Sequence, residues 1–211
     1  MRPDCAPADR RQCGAPRALE RVRYMTQNRR IKGSVVLDMV KVIRAFKDLP
    51  WDRYLKPEDF EIVKTMVIPT AWYPIETYQR MGLAVYKLVA KESEDVVRKF
   101  GQAAMKELLE GPYRPFLVKN DPFEAVAKFF ELRKSLFTFS KMAIEKTGDK
   151  SLRARITEFG DFSDGLDVFT ILLCAHLEEL AKNNGCKGIT LKPCHEKEKG
   201  QTNIVVDMAW T

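Results

Sequence analysis

The chain has 211 residues, 45% hydrophobic and 31% charged, with 36 Lys and Arg against 29 Asp and Glu for a formal net charge of +7. That length suits one domain with a real core, while no apolar run approaches the roughly 18 residues of a membrane span and no signal-peptide pattern is evident, so a cytoplasmic protein without a membrane span is expected. The charge does not mark a nucleic-acid binder. Residues 1–24 hold Arg2, Arg10, Arg11, Arg17, Arg21 and Arg23 against Asp4, Asp9 and Glu20, and beyond them basic residues are interleaved with acids rather than forming a phosphate track.

Residues 1–24 are rich in Arg, Pro, Ala and Cys and carry no amphipathic period, so they cannot bury enough apolar surface to offset their ordering entropy. They read as a disordered or mis-assigned N-terminal extension, with Met25 as the biological start. Residues 25–211 then form a single domain, with a helical part at 30–134 and a β-rich part at 135–211.

In residues 33–48, Val36, Met39, Val40, Ile43 and Phe46 fall on one helical stripe, and Ser34 is placed to cap it. A short helix around 57–66 opens with Pro57-Glu58-Asp59, where acids suit the positive end of the dipole. Residues 67–81 are the pivot of the chain. Pro69 and Pro74 force Ile68 and Tyr73 out of the helical region, giving an extended hinge with Trp72, Tyr73 and Tyr78 close together. A helix should run from Pro74 to about Lys91, and another from a Ser93 cap to Gly111-Pro112. Asp121-Pro122-Phe123-Glu124 is the clearest helix start, with Asp at the cap, Pro at the first position and Glu set to close a capping box. Phe123, Val126, Ala127 and Phe130 make its apolar side.

At residue 135 the period changes. Segments 135–145 and 152–159 alternate and are joined by a turn at 147–150, predicting a hairpin. A helix follows over about 163–184, with Phe169, Leu172, Leu173, His176, Leu177 and Leu180 inward, and two strands at 187–194 and 202–210 close the chain. The expected fold is α+β: four or five helices packed on an antiparallel β-β-α-β-β unit.

Chemical motifs are sparse. Gly148-Asp149-Lys150-Ser151 lacks the upstream glycine of a phosphate loop, and Asp161, Asp164 and Asp167 lack the glycine and glutamate positions of a calcium loop, so both read as local structure. Cys174 and His176 are two apart on a helix and point apart, while Cys186 and Cys194 are expected near opposite ends of one strand. A redox or metal role would fall to Cys194 with His195. Two histidines and no nucleophile elbow leave no base and nucleophile pair, so no enzyme, no resident cofactor and no metal site are expected.

Lys32-Gly33 at the first helix, the hinge from Ile68 to Tyr78, and the ending Asp207-Met208-Ala209-Trp210 together resemble a family of uncharacterised proteins abundant in myxobacteria. That family is itself distantly similar to the haem-nitric-oxide-binding, four-vinyl-reductase-type and TRAPP Bet-type ligand-binding folds. The resemblance covers about residues 30–211. Haem binding in the gas-sensing relatives implies an axial histidine on a mid-chain helix and a Tyr-x-Ser-x-Arg clamp; here no histidine precedes His176 and the clamp is missing. The four-vinyl-reductase type implies a cysteine pair, of which Cys194 matches the first while Thr202 and Asn203 stand in the region of the second. The TRAPP-like relatives imply a dimer and an apolar channel, which Phe129, Phe130, Phe137 and Phe139 could line.

Two functions follow as expectations. One is a non-enzymatic sensory or carrier module holding a small apolar ligand between helices and sheet, with Trp72, Tyr73, Tyr78, Phe129, Phe130 and Phe137 as candidate contacts. The other is a homodimeric protein-interaction module without a ligand.

Overall fold

The computed structural model describes residues 29–111, 113–157, 165–198 and 201–211. The extension at 1–24 and the aspartates Asp161 and Asp164 lie outside them. In chain order the described elements are β1 (Arg30–Lys32), α1 (Gly33–Ala45), a single 3-10 turn (Trp51–Arg53), α2 (Pro57–Lys64), β2 (Trp72–Pro74), α3 (Ile75–Leu88), α4 (Glu94–Glu110), α5 (Arg114–Leu117), α6 (Pro122–Lys134), β3 (Lys141–Gly148), β4 (Ser151–Thr157), α7 (Leu166–Lys182), β5 (Thr190–Glu198) and β6 (Gln201–Ala209). The fold is α+β.

The pivot at 67–81 is a strand ribbon as well as a hinge. β2 pairs antiparallel with β1, with Ile31 opposite Tyr73. Its loop also caps α1. The Gly33 and Ser34 amides donate to the carbonyls of Ala71 and Pro69, both at 2.9 Å. Two of the amides that a helix start leaves unsatisfied are thereby met by backbone, and the Ser34 side chain does not cap as the sequence suggested. A Cβ on Gly33 would collide with the Ile68 carbonyl oxygen and stand 2.8 Å from the Tyr73 ring, so only glycine lets the loop come this close. Tyr73 in turn accepts a hydrogen bond from the Ile68 amide at 3.0 Å.

The α1 stripe buries Val36, Val40 and Ile43, whereas Phe46, expected to continue it, lies past the helix end and is 49% exposed. Ser93 caps α4 by accepting from the Val96 amide, and Asp121 caps α6 by accepting from the amides of Phe123 and Glu124. Helices α4 and α7 pack closely: a Cβ on Gly101 would stand 2.7 Å from Ala175 Cβ and 3.2 Å from the Leu172 carbonyl oxygen. Buried Asn184, just beyond α7, uses its whole amide. Its oxygen accepts from the Lys119 and Asn120 amides, and its nitrogen donates to the carbonyls of Leu117 and Leu180. That network fixes the loop leading into α6 against the end of α7.

The four-stranded sheet runs β3-β4-β6-β5, antiparallel throughout. Leu152, Ala154 and Ile156 alternate inward on β4, with Ile204, Val206 and Met208 beside them on β6. Two boundaries differ from expectation. β3 starts at Lys141 rather than 135, because the preceding residues engage β1: Ile31 bridges Phe137, and the Thr138 amide donates to the Arg30 carbonyl. Cys186 precedes β5, leaving Cys194 on that strand without it.

Asp59, which the sequence places among acids suited to a helix dipole, is fully buried. Arg80 grips it through Nε to Oδ2 and Nη2 to Oδ1, both 2.6 Å, and the Lys56 amide donates to Oδ2 at 2.9 Å. Burial alone would raise the Asp59 pKa; the Arg80 hydrogen bond, with the Lys56 amide, Thr77 and the Arg80 charge, outweighs it and holds the carboxyl below its usual range. Such a depressed carboxylate stabilises the fold above the unfolded pKa of about 3.9, and that contribution is lost as pH falls through the lower native value. Asp59→Asn should therefore cost about 2 kcal/mol at neutral pH, less than a wholly buried pair because Arg80 is partly solvated. In urea melts the difference from wild type should shrink below pH 4; an unchanged difference there contradicts this linkage.

Candidate functional site

A cavity of about 240 Å³ lies among α1, α3, α4, α6 and α7. Its apolar wall includes Met105, Leu108, Leu132, Leu173 and the rings of Phe129, Phe137 and Phe169. Ser34, Asp38, Ala104 and Tyr113 are exposed and form its mouth. Inside, the polar lining is Tyr78, Arg133 and His176. None of the sheet strands β3–β6 contributes to the wall, so the cavity lies within the helical layer rather than between helices and sheet. A smaller cavity of about 70 Å³ adjoins it and shares Tyr78, Phe169 and Leu172 as walls.

Helical spacing explains how a cation comes to stand there. Val126, Phe129, Phe130 and Arg133 recur at intervals that place them on one face of α6, and all four are buried. Arg133 is 7% exposed. Its guanidinium carbon lies 4.8 Å from the Phe137 ring centroid, 5.2 Å from Phe169 and 5.6 Å from Phe129. Each such contact contributes on the order of 1–2 kcal/mol when desolvated. Yet rings meet a cation with their faces, and they offer no acceptor to its in-plane N–H groups. Nε and Nη2 of Arg133 have no hydrogen-bond partner among the described residues. Desolvation brings the Arg133 pKa down to about 10, only partly countered by Tyr78, so the side chain is still cationic at neutral pH.

His176 projects from α7 into the same space, with its ring edge-on to Phe129 at 6.0 Å. Its Nδ1 is buried and also lacks a partner among the described residues. Burial, and then the Arg133 charge, push its pKa down to about 3, which fixes it as a neutral imidazole. Burial of the Tyr78 hydroxyl pushes that pKa up to about 12, keeping the phenol protonated. The cavity thus presents one fixed cation, one neutral imidazole and one phenol within an apolar wall.

Of the aromatic residues singled out from the sequence, Tyr78, Phe129 and Phe137 line this cavity. Trp72, Tyr73 and Phe130 do not. Trp72 lies on β2 beneath the Lys32 ammonium, 4.0 Å from its ring centroid; Tyr73 holds the hinge; Phe130 is core. Elsewhere, His195 Nε2 lies 2.9 Å from Thr170 Oγ1, Cys194 is exposed, and Cys174 and Cys186 are buried free thiols. No group of three or more metal-ligating side chains converges among the described residues. Sequence reasoning missed Arg133 although a signal was present: a charged residue at a core position of the α6 stripe, which a surface-only reading of charge passes over.

No protein-family model matches the sequence, and neither does any curated protein. Solved structures do match. A single-site variant of the T. tengcongensis H-NOX is 12% identical with a TM-score of 0.60, covering 86% of this chain and 98% of that one. A Cs H-NOX variant agrees equally well, at 12% identity and a TM-score of 0.60 over 86% and 97% of the two chains. The Fe(II) unliganded H-NOX of K. algicida is 12% identical, with a TM-score of 0.56 over 86% and 97%. At such identity the likeness establishes an H-NOX-like fold and nothing finer.

Other structures in this group are described in terms of haem distortion. A haem is a poor fit to this cavity. Its volume is below even the roughly 300–1,000 Å³ of drug-sized ligand sites. The Arg133 guanidinium, packed against three rings, is part of this lining, which offers His176, Tyr78 and Met105 as potential axial ligands.

The pKa of His176 gives a direct check. A depressed histidine pKa leaves native His176 unprotonated while the unfolded residue, near 6.5, takes up a proton, so this site favours unfolding progressively as pH falls below about 6.5. Imidazole NMR signals of His176 should stay in the neutral form from pH 8 to pH 5, and His176→Phe should flatten the stability profile between pH 6 and pH 4. A midpoint near 6.5 for the native imidazole contradicts the site as described.

Proposed function

We propose that this protein is a non-enzymatic ligand-binding module, a sensor or carrier, that takes a small, largely apolar molecule into the cavity among α1, α3, α4, α6 and α7. The observation that carries this reading is an apolar cavity with an exposed mouth, lined by Arg133 and His176, whose buried Nε, Nη2 and Nδ1 atoms lack partners among the described residues. Fully packed cores satisfy their buried polar atoms, and sites awaiting a ligand leave them open. The volume is between the about 150 Å³ that holds a benzene ring and the about 300 Å³ at which drug-sized pockets begin, which suits a single-ring or medium-chain compound. Tyr78, Phe129 and Phe137 contact the ligand in this reading. Trp72 and Tyr73 secure the hinge that caps α1, and α1 carries part of the mouth, so occupancy has a route to the surface.

The H-NOX-like fold supports a sensory role by analogy only. A second reading, a homodimeric or protein-interaction module, draws on the loop after α2, where Met66 and Ile68 are 86% and 54% exposed.

Methyl-labelled protein titrated with phenol, a neutral single-ring probe, separates the two readings. Shifts should concentrate at Leu108, Leu132 and Leu173, and Ala104→Trp, which plugs the mouth from an exposed helical position, should weaken binding at least tenfold with stability within about 0.5 kcal/mol of wild type. Shifts scattered over the surface, or none, contradict the cavity reading. A dimer in light scattering that Met66→Asp dissolves would instead establish the interaction module.

A further inference from the structure

Among the described residues three arginines fill the Nε–Nη2 edge of the guanidinium, Arg44 with the carbonyls of Val63 and Thr65 at 2.7 and 2.6 Å and two others with carboxylates, while a fourth leaves it open. Arg80 grips Asp59 through Nε and Nη2 at 2.6 Å each, and Arg153 grips Asp207 through the same pair of nitrogens at 2.7 and 2.9 Å. The Nε and Nη2 of Arg133, a residue that lines the cavity, form the corresponding edge, buried and without a partner among the described residues. The planar fork matches the two oxygens of a carboxylate, and pairing with one is the strongest way to satisfy it. No carboxylate among the described residues occupies that edge. Asp38, the acidic residue of the lining, is exposed at the mouth and accepts instead from Lys41 Nζ at 3.2 Å.

We infer that the ligand is an organic monocarboxylic acid with a small apolar body, whose carboxylate binds side-on to Nε and Nη2 of Arg133. This rests on the ligand-binding reading above and specifies its chemistry. The three phenyl rings around the guanidinium offer no acceptor to this edge, and they wall the space in which the apolar body lies. Nδ1 of neutral His176, a lining residue of the same cavity, is a second polar atom without a partner among the described residues; as Nδ1–H it donates to a carboxylate oxygen, and in the other tautomer it accepts from a hydroxyl or amide on the ligand. Without the acid, a desolvated cation stands uncompensated among the described residues, which is the usual mark of a charge kept for function rather than for stability.

Matched pairs test this: the straight-chain acids from butanoate to decanoate and phenylpropanoate, each against its primary amide, measured by calorimetry on the full chain. The acids should bind at least tenfold tighter than the amides, and the Arg133 Nε–H resonance should move downfield with acids only. Arg133→Met should erase the preference, keep the weaker amide binding and raise the melting temperature, because a buried unpaired cation has been replaced by an apolar side chain of similar length. Equal binding of acids and amides in wild type overturns the inference while leaving the ligand-binding reading standing. A preference that survives Arg133→Met, or an Nε–H signal unmoved by acids, also overturns it. Binding of neither class removes both. If Arg133→Met does not fold, the wild-type ratio and the Nε–H shift decide alone.

Discussion

A guanidinium buried among Phe129, Phe137 and Phe169, with no acid among the described residues to balance it, is the constraint from which the character of this site follows. Transferring such a charge out of water costs several kcal/mol, and the rings return only part of it. The cost persists because the surrounding helices are fixed by contacts that do not involve Arg133. Its field also sets the neighbouring chemistry, since it helps hold His176 neutral and partly offsets the desolvation of Tyr78.

What keeps the walls apart is backbone geometry at a few points. The Gly101 contact draws α4 and α7 together along one side, and Asn184 pins the entry of α6 to the end of α7. On the other side the 68–74 loop caps α1 through carbonyls, an arrangement that Gly33 alone permits. Collapse of the cavity would need one of these junctions to open. The sheet supports α7 at Thr170 through His195 but leaves the cavity to the helices.

Much of the fold was legible in the sequence because its elements announce themselves locally. Asp121-Pro122 starts α6, Ser93 starts α4, and the turn before Ser151 joins β3 to β4, each through a side chain acting within a few residues. Long-range contacts were not legible. The pairing of β1 with β2, the backbone cap on α1 and the burial of Asp59 beside Arg80 depend on residues 20 or more positions apart. The site divides the same way. Aromatic residues invite a pocket reading from composition, which brought Tyr78, Phe129 and Phe137 forward together with Trp72, Tyr73 and Phe130, three that the folded chain places elsewhere. Arg133 was hidden because a single charge on an amphipathic stripe is ordinarily solvated, and only the packing of α7 against α6 shows that it is enclosed.

The H-NOX-like fold and the chemistry of this cavity point in different directions, one toward haem and the other toward a small acid. Native mass spectrometry of the protein purified from its own host compares them most directly. The account predicts a non-covalent adduct of small mass, released on denaturation and detected as an organic acid anion. A porphyrin adduct, a neutral compound, or the bare polypeptide mass in every preparation would contradict it.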